Sequence, residues 1–189
     1  MAERVNFDVD GFKARLTGGG SRPNQFFVQL TFPTYVQLSQ DAAQNAPFLV
    51  TAASLPGSTV NPAVVMYRGR EVKLGGERTF NPWTISIIND NSFVMRNAFE
   101  DWMNGINDRF NNGGRIQPSQ YMTDLTVTQM DRNNNPLKAY KIKDAFPIDV
   151  SDVQLDFGAN DQISQFSVSF AYQTFDTNQG APLTNPTAL

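Results

Sequence analysis

Only one stretch of this chain repeats its apolar residues with helical period, and that narrows the possible folds at once. Val94, Ala98, Trp102 and Ile106 recur every four residues, with Met95, Phe99 and Met103 beside them, so one helix face carries a wide apolar stripe. Arg96, Glu100 and Asp101 fall largely off it. Asn89-Asp90-Asn91-Ser92 supplies N-cap residues and Asn111-Asn112-Gly113-Gly114 a stop signal, which predicts a helix over roughly 92–110. Elsewhere the period is two. Phe166, Val168, Phe170 and Tyr172 alternate with Ser167, Ser169, Ala171 and Gln173, the pattern of a half-buried strand with a small polar outer face.

The other segments read the same way. Phe26 to Phe32 and Phe48 to Leu55 are expected as strands, the second stopped by Pro56-Gly57, with Pro33 to Pro47 as a polar surface excursion between them. Thr59 to Tyr67 and Glu71 to Leu74 form a hairpin arm turning at Arg68-Gly69-Arg70, and Pro62 demotes part of it to an edge or a bulge. Thr84 to Ile88 is β-branched and strand-forming. Leu125 to Met130 and Leu137 to Ile142 flank the turn-rich Asp131 to Pro136. Phe146 to Phe157 continues as strand, and Gly158 to Asp161 turns into a last strand, Ile163 to Phe175. No internal repeat is visible, and strands do not alternate with helices, which argues against a parallel α/β sheet. The expectation is a mainly β fold: an antiparallel β-sandwich or barrel of about seven or eight strands with one flanking α-helix.

The 189 residues suit one domain with small additions. Residues 1–21 read as an N-terminal arm ending in the Gly-rich joint Thr17 to Ser21, residues 22–175 as the β domain, and residues 176–189 as an extended C-terminal tail. Charged residues are 17%, and polar uncharged side chains take their place, so the surface resists self-association weakly. Net charge is −3 and the pI about 4.9, which argues against tight nucleic-acid binding through clustered Lys and Arg. No membrane-spanning apolar run and no basic-then-apolar leader is seen, so a soluble chain that is not exported by a signal peptide is expected.

The chain has no His and no Cys, which removes His-based nucleophilic systems, disulfides and thiolate metal sites. Asp149, Asp152 and Asp156 lie close in sequence. On a strand, however, Asp152 and Asp156 would share a face about 13 Å apart, and polar alternation is the simpler reading. Asp131 to Asn135 lacks the Gly and Glu of a calcium loop. Thr17 to Arg22 lacks the Lys and the following helix of a phosphate cradle. Arg68, Arg70, Lys73 and Arg78 interleave with Glu71 and Glu77, which favours salt bridging between subunits or plain solvation over DNA binding. No catalytic, metal or cofactor site is predicted, and the chain is expected not to be an enzyme.

From Leu55 onward a series of pieces comes in a telling order: Leu55-Pro56-Gly57, Tyr67-Arg68-Gly69-Arg70, Gly76-Glu77-Arg78-Thr79-Phe80, Trp83-Thr84, Asn89-Asp90, and a helix carrying Asp101-Trp102. Arg22 to Phe26 precedes them, and Val153 to Phe157 and Ile163 to Phe166 follow. Together these resemble the tail tube proteins of T-even-like contractile phages over about four-fifths of the chain. The longer N-terminal arm, the Pro33 to Pro47 excursion and the tail after Phe175 depart from that pattern.

The resemblance implies a virion protein, made in the host cytoplasm, that forms homohexameric rings stacked into the inner tube of a contractile tail. It implies sheath, baseplate and tail terminator proteins as partners, and no membrane. Tape measure protein and genomic DNA would occupy the lumen without tight binding. Four strands from each of six copies, at ~4.8 Å spacing and ~40° tilt, would close a barrel roughly 48 Å across. For inter-ring or inter-subunit contact the resemblance favours the hairpin arm, with Val60, Val64, Val65, Met66, Arg68, Arg70 and Glu71 as the residues expected there. Val94, Phe99 and Trp102 should form the helix's core face, while its polar side meets either sheath or water. A bacterial contractile injection system's inner tube is the alternative, and a monomeric β-sandwich binding module a more distant one.

Overall fold

A computed structural model describes residues 8–178. The expectations for the first seven residues and for the tail beyond Asn178 lie outside the described residues. In chain order the elements are α1 (Val9–Arg15), β1 (Phe26–Gln29), α2 (Ser39–Leu49), β2 (Val50–Ala53), β3 (Ser58–Tyr67), β4 (Arg70–Phe80), β5 (Trp83–Ile88), α3 (Val94–Ile106), β6 (Thr123–Met130), β7 (Pro136–Val150), β8 (Gln165–Ala171) and β9 (Thr174–Asn178). The fold is mainly β with every strand pair antiparallel.

The sheet bends around β7. Its first part pairs with β6 on one side and β9 on the other, and β1 extends β6, which makes a first leaf. Its last part, Phe146 to Val150, pairs only with β8, and the order β7-β8-β5-β2 makes a second leaf. Asp144, at φ 54°, takes a left-handed conformation between the two parts, where the strand turns from one leaf to the other. Two separate strands had been expected here; one continuous strand serves both leaves. Conversely, the single strand expected over Ile163 to Phe175 breaks at Tyr172-Gln173 into β8 and β9.

Between the leaves lies the core: Val28, Leu125, Val127 and Ile142 from the first, Trp83, Ile85, Ile87, Phe166, Val168 and Phe170 from the second. The alternation of the last strand is as expected, since Phe166, Val168, Phe170 and Tyr172 are all buried. The helix α3 lies on the second leaf's inner side. Phe99 packs on Phe32 and Phe170 with ring centroids 5.2 and 5.8 Å away, and Trp102 on Phe32 at 5.5 Å. Burying one such side chain contributes about 2–3 kcal/mol.

The helix runs shorter than expected. It starts at Val94, behind a left-handed Phe93 (φ 52°), with Asp90 Oδ1 accepting the Val94 N–H at 3.2 Å. It stops at Ile106, where Asn107 is already extended, before the Asn-Gly run. Two further helices were not foreseen. In the arm, α1 is capped by Asp8 and buries no residue. Within the Pro33 to Pro47 excursion, α2 buries only Ala42 and Ala46, one turn apart; so small a contact stripe leaves little trace in a polar sequence. Phe48, expected as the start of a strand, belongs to the end of α2. The strand expected to reach Phe157 ends at Val150, so Asp152 and Asp156 lie in a loop and share no strand face.

Candidate assembly surfaces

The hairpin β3–β4 forms a two-stranded sheet of its own, and every residue from Ser58 to Thr79 is exposed. Its turn is the two-residue Arg68-Gly69, both at positive φ (48° and 80°), the geometry that matches strand twist in a tight hairpin. The second strand continues through Gly75-Gly76 rather than ending at Leu74. A register shift between Val60 and Pro62 places a bulge there, as Pro62 suggested. Phe80 anchors the base, with its ring 5.7 Å from both Tyr172 and Phe175. The Tyr172 hydroxyl donates to the Gly57 carbonyl at 3.3 Å.

Register sorts the arm's residues by face. Val65 opposes Val72, Ala63 opposes Leu74, and Tyr67 opposes Arg70. That face is almost wholly apolar. On the other, Val64 opposes Lys73 and Met66 opposes Glu71, with Val60 opposite Arg78 further down. The residues expected at a contact thus divide: Val65 and Arg70 share one face, Val60, Val64, Met66 and Glu71 the other, and Arg68 sits in the turn. Register adds Tyr67, Val72 and Leu74 to the face of Val65, an apolar grouping visible only once the two strands are paired through the turn. Lys73 and Glu71 lie 3.9 Å apart on the mixed face. The apolar face leaves Val65, Tyr67, Val72 and Leu74 between 43 and 62% exposed, an uncovered stripe on an arm standing off the body.

The second surface is the outer face of the second leaf. Thr84 faces Ser169 and Ser86 faces Ser167, and the Thr84 and Ser169 hydroxyls hydrogen-bond at 2.9 Å. Across Val50–Ala53, Trp83–Ile88, Phe146–Val150 and Gln165–Ala171 the only charged residue is Asp149. The first leaf's outer face differs: Lys141 pairs with Asp124 at 2.8 Å, and Lys143 pairs with Asp176. Lys141 is the main reason the Asp124 carboxyl is held below its usual range. Among the described residues the second leaf also ends in two free edges, β2 on one side and Phe146–Val150 of β7 on the other.

The helix face expected to pack does so: Phe99 and Trp102 are fully buried and Val94 half-buried. Trp102 donates its indole N–H to the Tyr121 carbonyl at 2.8 Å, and Tyr35 donates its phenol to the Trp102 carbonyl at 2.8 Å. Burial pushes the Tyr35 phenol up to about 12, against the Arg115 guanidinium 3.6 Å above its ring, which pulls the other way. Among the described residues no cluster of three metal-ligating side chains forms. Asp152 instead accepts from Gln154 at 2.8 Å and Asp156 from the Gly158 N–H at 2.9 Å. Among them, too, no helix is long and apolar enough to cross a membrane.

A two-leaved β body with a flanking helix and a long free hairpin is the geometry to set beside known proteins. The phage tail tube protein family matches residues 21–178. The chain belongs to that family. The tail tube protein gp19 of Enterobacteria phage T4 is 30% identical over 166 residues, which cover 87% of this chain and 96% of that one. The tail tube protein of Serratia phage KSP90 is 26% identical over 166 residues, covering 87% and 93%. Among solved structures, a chain of the anti-feeding prophage baseplate shares the fold with a TM-score of 0.61 at 13% identity, over 84% of this chain and 95% of that one. This tail tube family member is therefore a structural subunit of the inner tube of a phage tail. The family match begins after α1.

Proposed function

We propose that the chain acts only as a polymer: homohexameric rings stacked into a contractile tail's inner tube, through which the genome passes at ejection. The observation that carries this is the second leaf. It is a four-stranded sheet with a free edge at each side, a helix-covered inner face and a smooth hydroxyl-bearing outer face. Joining β2 of one copy to the last part of β7 of the next removes both edges at once. Six such leaves give the twenty-four strands of a barrel roughly 48 Å across, wide enough for a DNA duplex after side chains are placed.

In that arrangement Thr84, Ser86, Ser167 and Ser169 line the channel, and Asp149 is the only charge that the four strands of the leaf bring to it. Such a wall offers phosphate no cation to hold, so the genome and the tape measure protein slide without tight binding. The hairpin arm, with its apolar face, reaches a neighbouring ring, and the helix side is turned outward to the sheath. Baseplate and terminator proteins close the ends.

The test is electron microscopy of purified protein at rising concentration, followed by a cryo-EM map of the rods. The expected result is hollow rods lined by the four hydroxyl side chains. Particles that stay single and compact at every concentration, or a lumen lined by Lys141 and Lys143, would overturn the reading.

A further inference from the structure

The two free edges of the second leaf are flanked by features of opposite shape. Beside β2, and two residues before its start, stands Phe48, 83% exposed near the end of α2. Beside the other edge is an open cleft of about 450 Å³ between α3 and β7, lined in part by Met103, Ile106, Pro147 and Val150 and otherwise by the polar Arg96, Glu100, Asn104, Asn107, Arg109 and Asn112. Both features lie on the same side of the leaf. The helix α2 packs against α3, β1 and β2, while Pro147 and Val150 oppose the inward-facing Phe170 and Val168.

We propose that Phe48 of one copy seats in the α3–β7 cavity of the next copy around the ring, a knob and socket that sets which edge meets which. This rests on the lateral joining of leaves proposed above. The cavity has room for a phenyl ring, and its apolar walls reward the burial of one.

Charge agrees with shape. No basic residue stands in the last turn of α2, and Pro47 has no N–H to offer the Ala43 carbonyl; the Val50 N–H caps the Ala46 carbonyl, so that helix end presents its dipole with no cation of its own beside it. At the mouth of the cavity, Arg96 is engaged by Glu100 at 2.9 Å and by the Ser151 carbonyl, while Arg109 has no carboxylate within ion-pair distance among the described residues. A cation facing a helix C-terminus is the favourable pairing. The second copy is thus the occupant that satisfies both the apolar walls and the arginine at the mouth.

The chain has no Cys, which makes a clean cross-linking test possible. With Phe48→Cys and Met103→Cys in one chain, oxidised tubes should give a ladder of covalent oligomers on a non-reducing gel, whereas either single variant gives none. Phe48→Ala is the second measurement. Because Phe48 is exposed in the lone chain, the variant's melting should be unchanged. Its assembly should need at least about 30-fold more protein, the loss of one buried ring per contact. Phe48→Ala tubes at the wild-type concentration would overturn the knob and socket. So would a ladder from Phe12→Cys with Met103→Cys, which would put the N-terminal arm in the cavity instead. A map showing β2 joined to β7 with Phe48 outside the cavity would sink this inference alone; a map with those edges unjoined would sink the lateral reading as well.

Discussion

Gly75 and Gly76 stand side by side in the hairpin arm, yet only one of them can accept a side chain. A Cβ on Gly75 would meet nothing within 4 Å. On Gly76, at the bulge, it would fall well inside 3.0 Å of the Asn61 carbonyl oxygen and 3.2 Å from the Ala63 nitrogen, both backbone atoms. Neither can move without parting the strands. Relief by a shift of about 1 Å costs on the order of 1–3 kcal/mol of overpacking, and each ladder hydrogen bond lost costs about 0.5–1.5 kcal/mol more. An uncovered two-stranded sheet has little stability to spare, so Gly76→Ala should lose the arm's fixed shape beyond the bulge. The body does not depend on the arm for its core and should melt within ~2 °C of wild type. Gly75→Ala should assemble as wild type, and Gly76→Ala should remain a folded monomer at concentrations where its neighbour variant forms rods. Sedimentation and negative-stain microscopy read the difference. If the two variants assemble alike, or if Gly76→Ala melts as early as a core truncation, the arm is not the independent assembly element described here.

Three other outcomes are expected. Trp102→Ala removes a fully buried aromatic of α3 and should cost about 3–5 kcal/mol, lowering the melting temperature by roughly 10 °C and preventing tubes only through unfolding. Tyr35 holds its proton more tightly when folded, its pKa being about 12 against 10.0, so the folded chain carries the extra proton between those values. Its contribution to stability is therefore complete below pH 10 and should fall as pH rises from about 10 to about 12. Melting curves of Tyr35→Phe should show a shallower alkaline decline, with a remainder from the buried Tyr172, whose phenol is also raised. Finally, Ser167→Lys with Ser169→Lys places cations on the central β8 strand. Tubes should still form but should retain duplex DNA in a salt-dependent way, measured by co-sedimentation, whereas wild-type tubes should release it.

How far the sequence disclosed this follows from where each decision is made. The apolar stripe of α3 and the alternation of β8 are local, because one face of each packs on a single core, and both are legible. The path of β7 is not. Its pattern is compatible with two strands, and only partners remote in sequence decide that one strand bends at Asp144 to serve two leaves. The same holds at Gly75-Gly76, which looks like a strand end until β3 is laid beside it. For the candidate assembly surfaces, residue types marked the arm as a mix of apolar and charged side chains, but face assignment needed register: Val65 with Val72 on one side, Val64 with Lys73 on the other. Phe48 was mistaken for strand because an apolar residue beside Leu49 and Val50 looks like part of the same run.

The exposed apolar residues make a physical argument of their own. Among the large ones the arm accounts for several, Phe48 for another, and the loop after β7 for Leu155 (89% exposed) and Phe157 (108%). Val153, Leu155 and Phe157 continue a strand-like alternation into a segment that pairs with no strand among the described residues. Each of these groups follows or precedes a free border of the second leaf: the arm and Phe48 flank β2, and the loop follows β7. Apolar surface beside unpaired backbone is a standing invitation to pair, and a soluble monomer would normally guard it with charge. Here the bordering strands carry a single carboxylate, Asp149. In the proposed tube, the same lack of charge that would make a wall past which DNA can slide would leave the borders open to sister copies, so passage and polymerisation would draw on one feature of the chain.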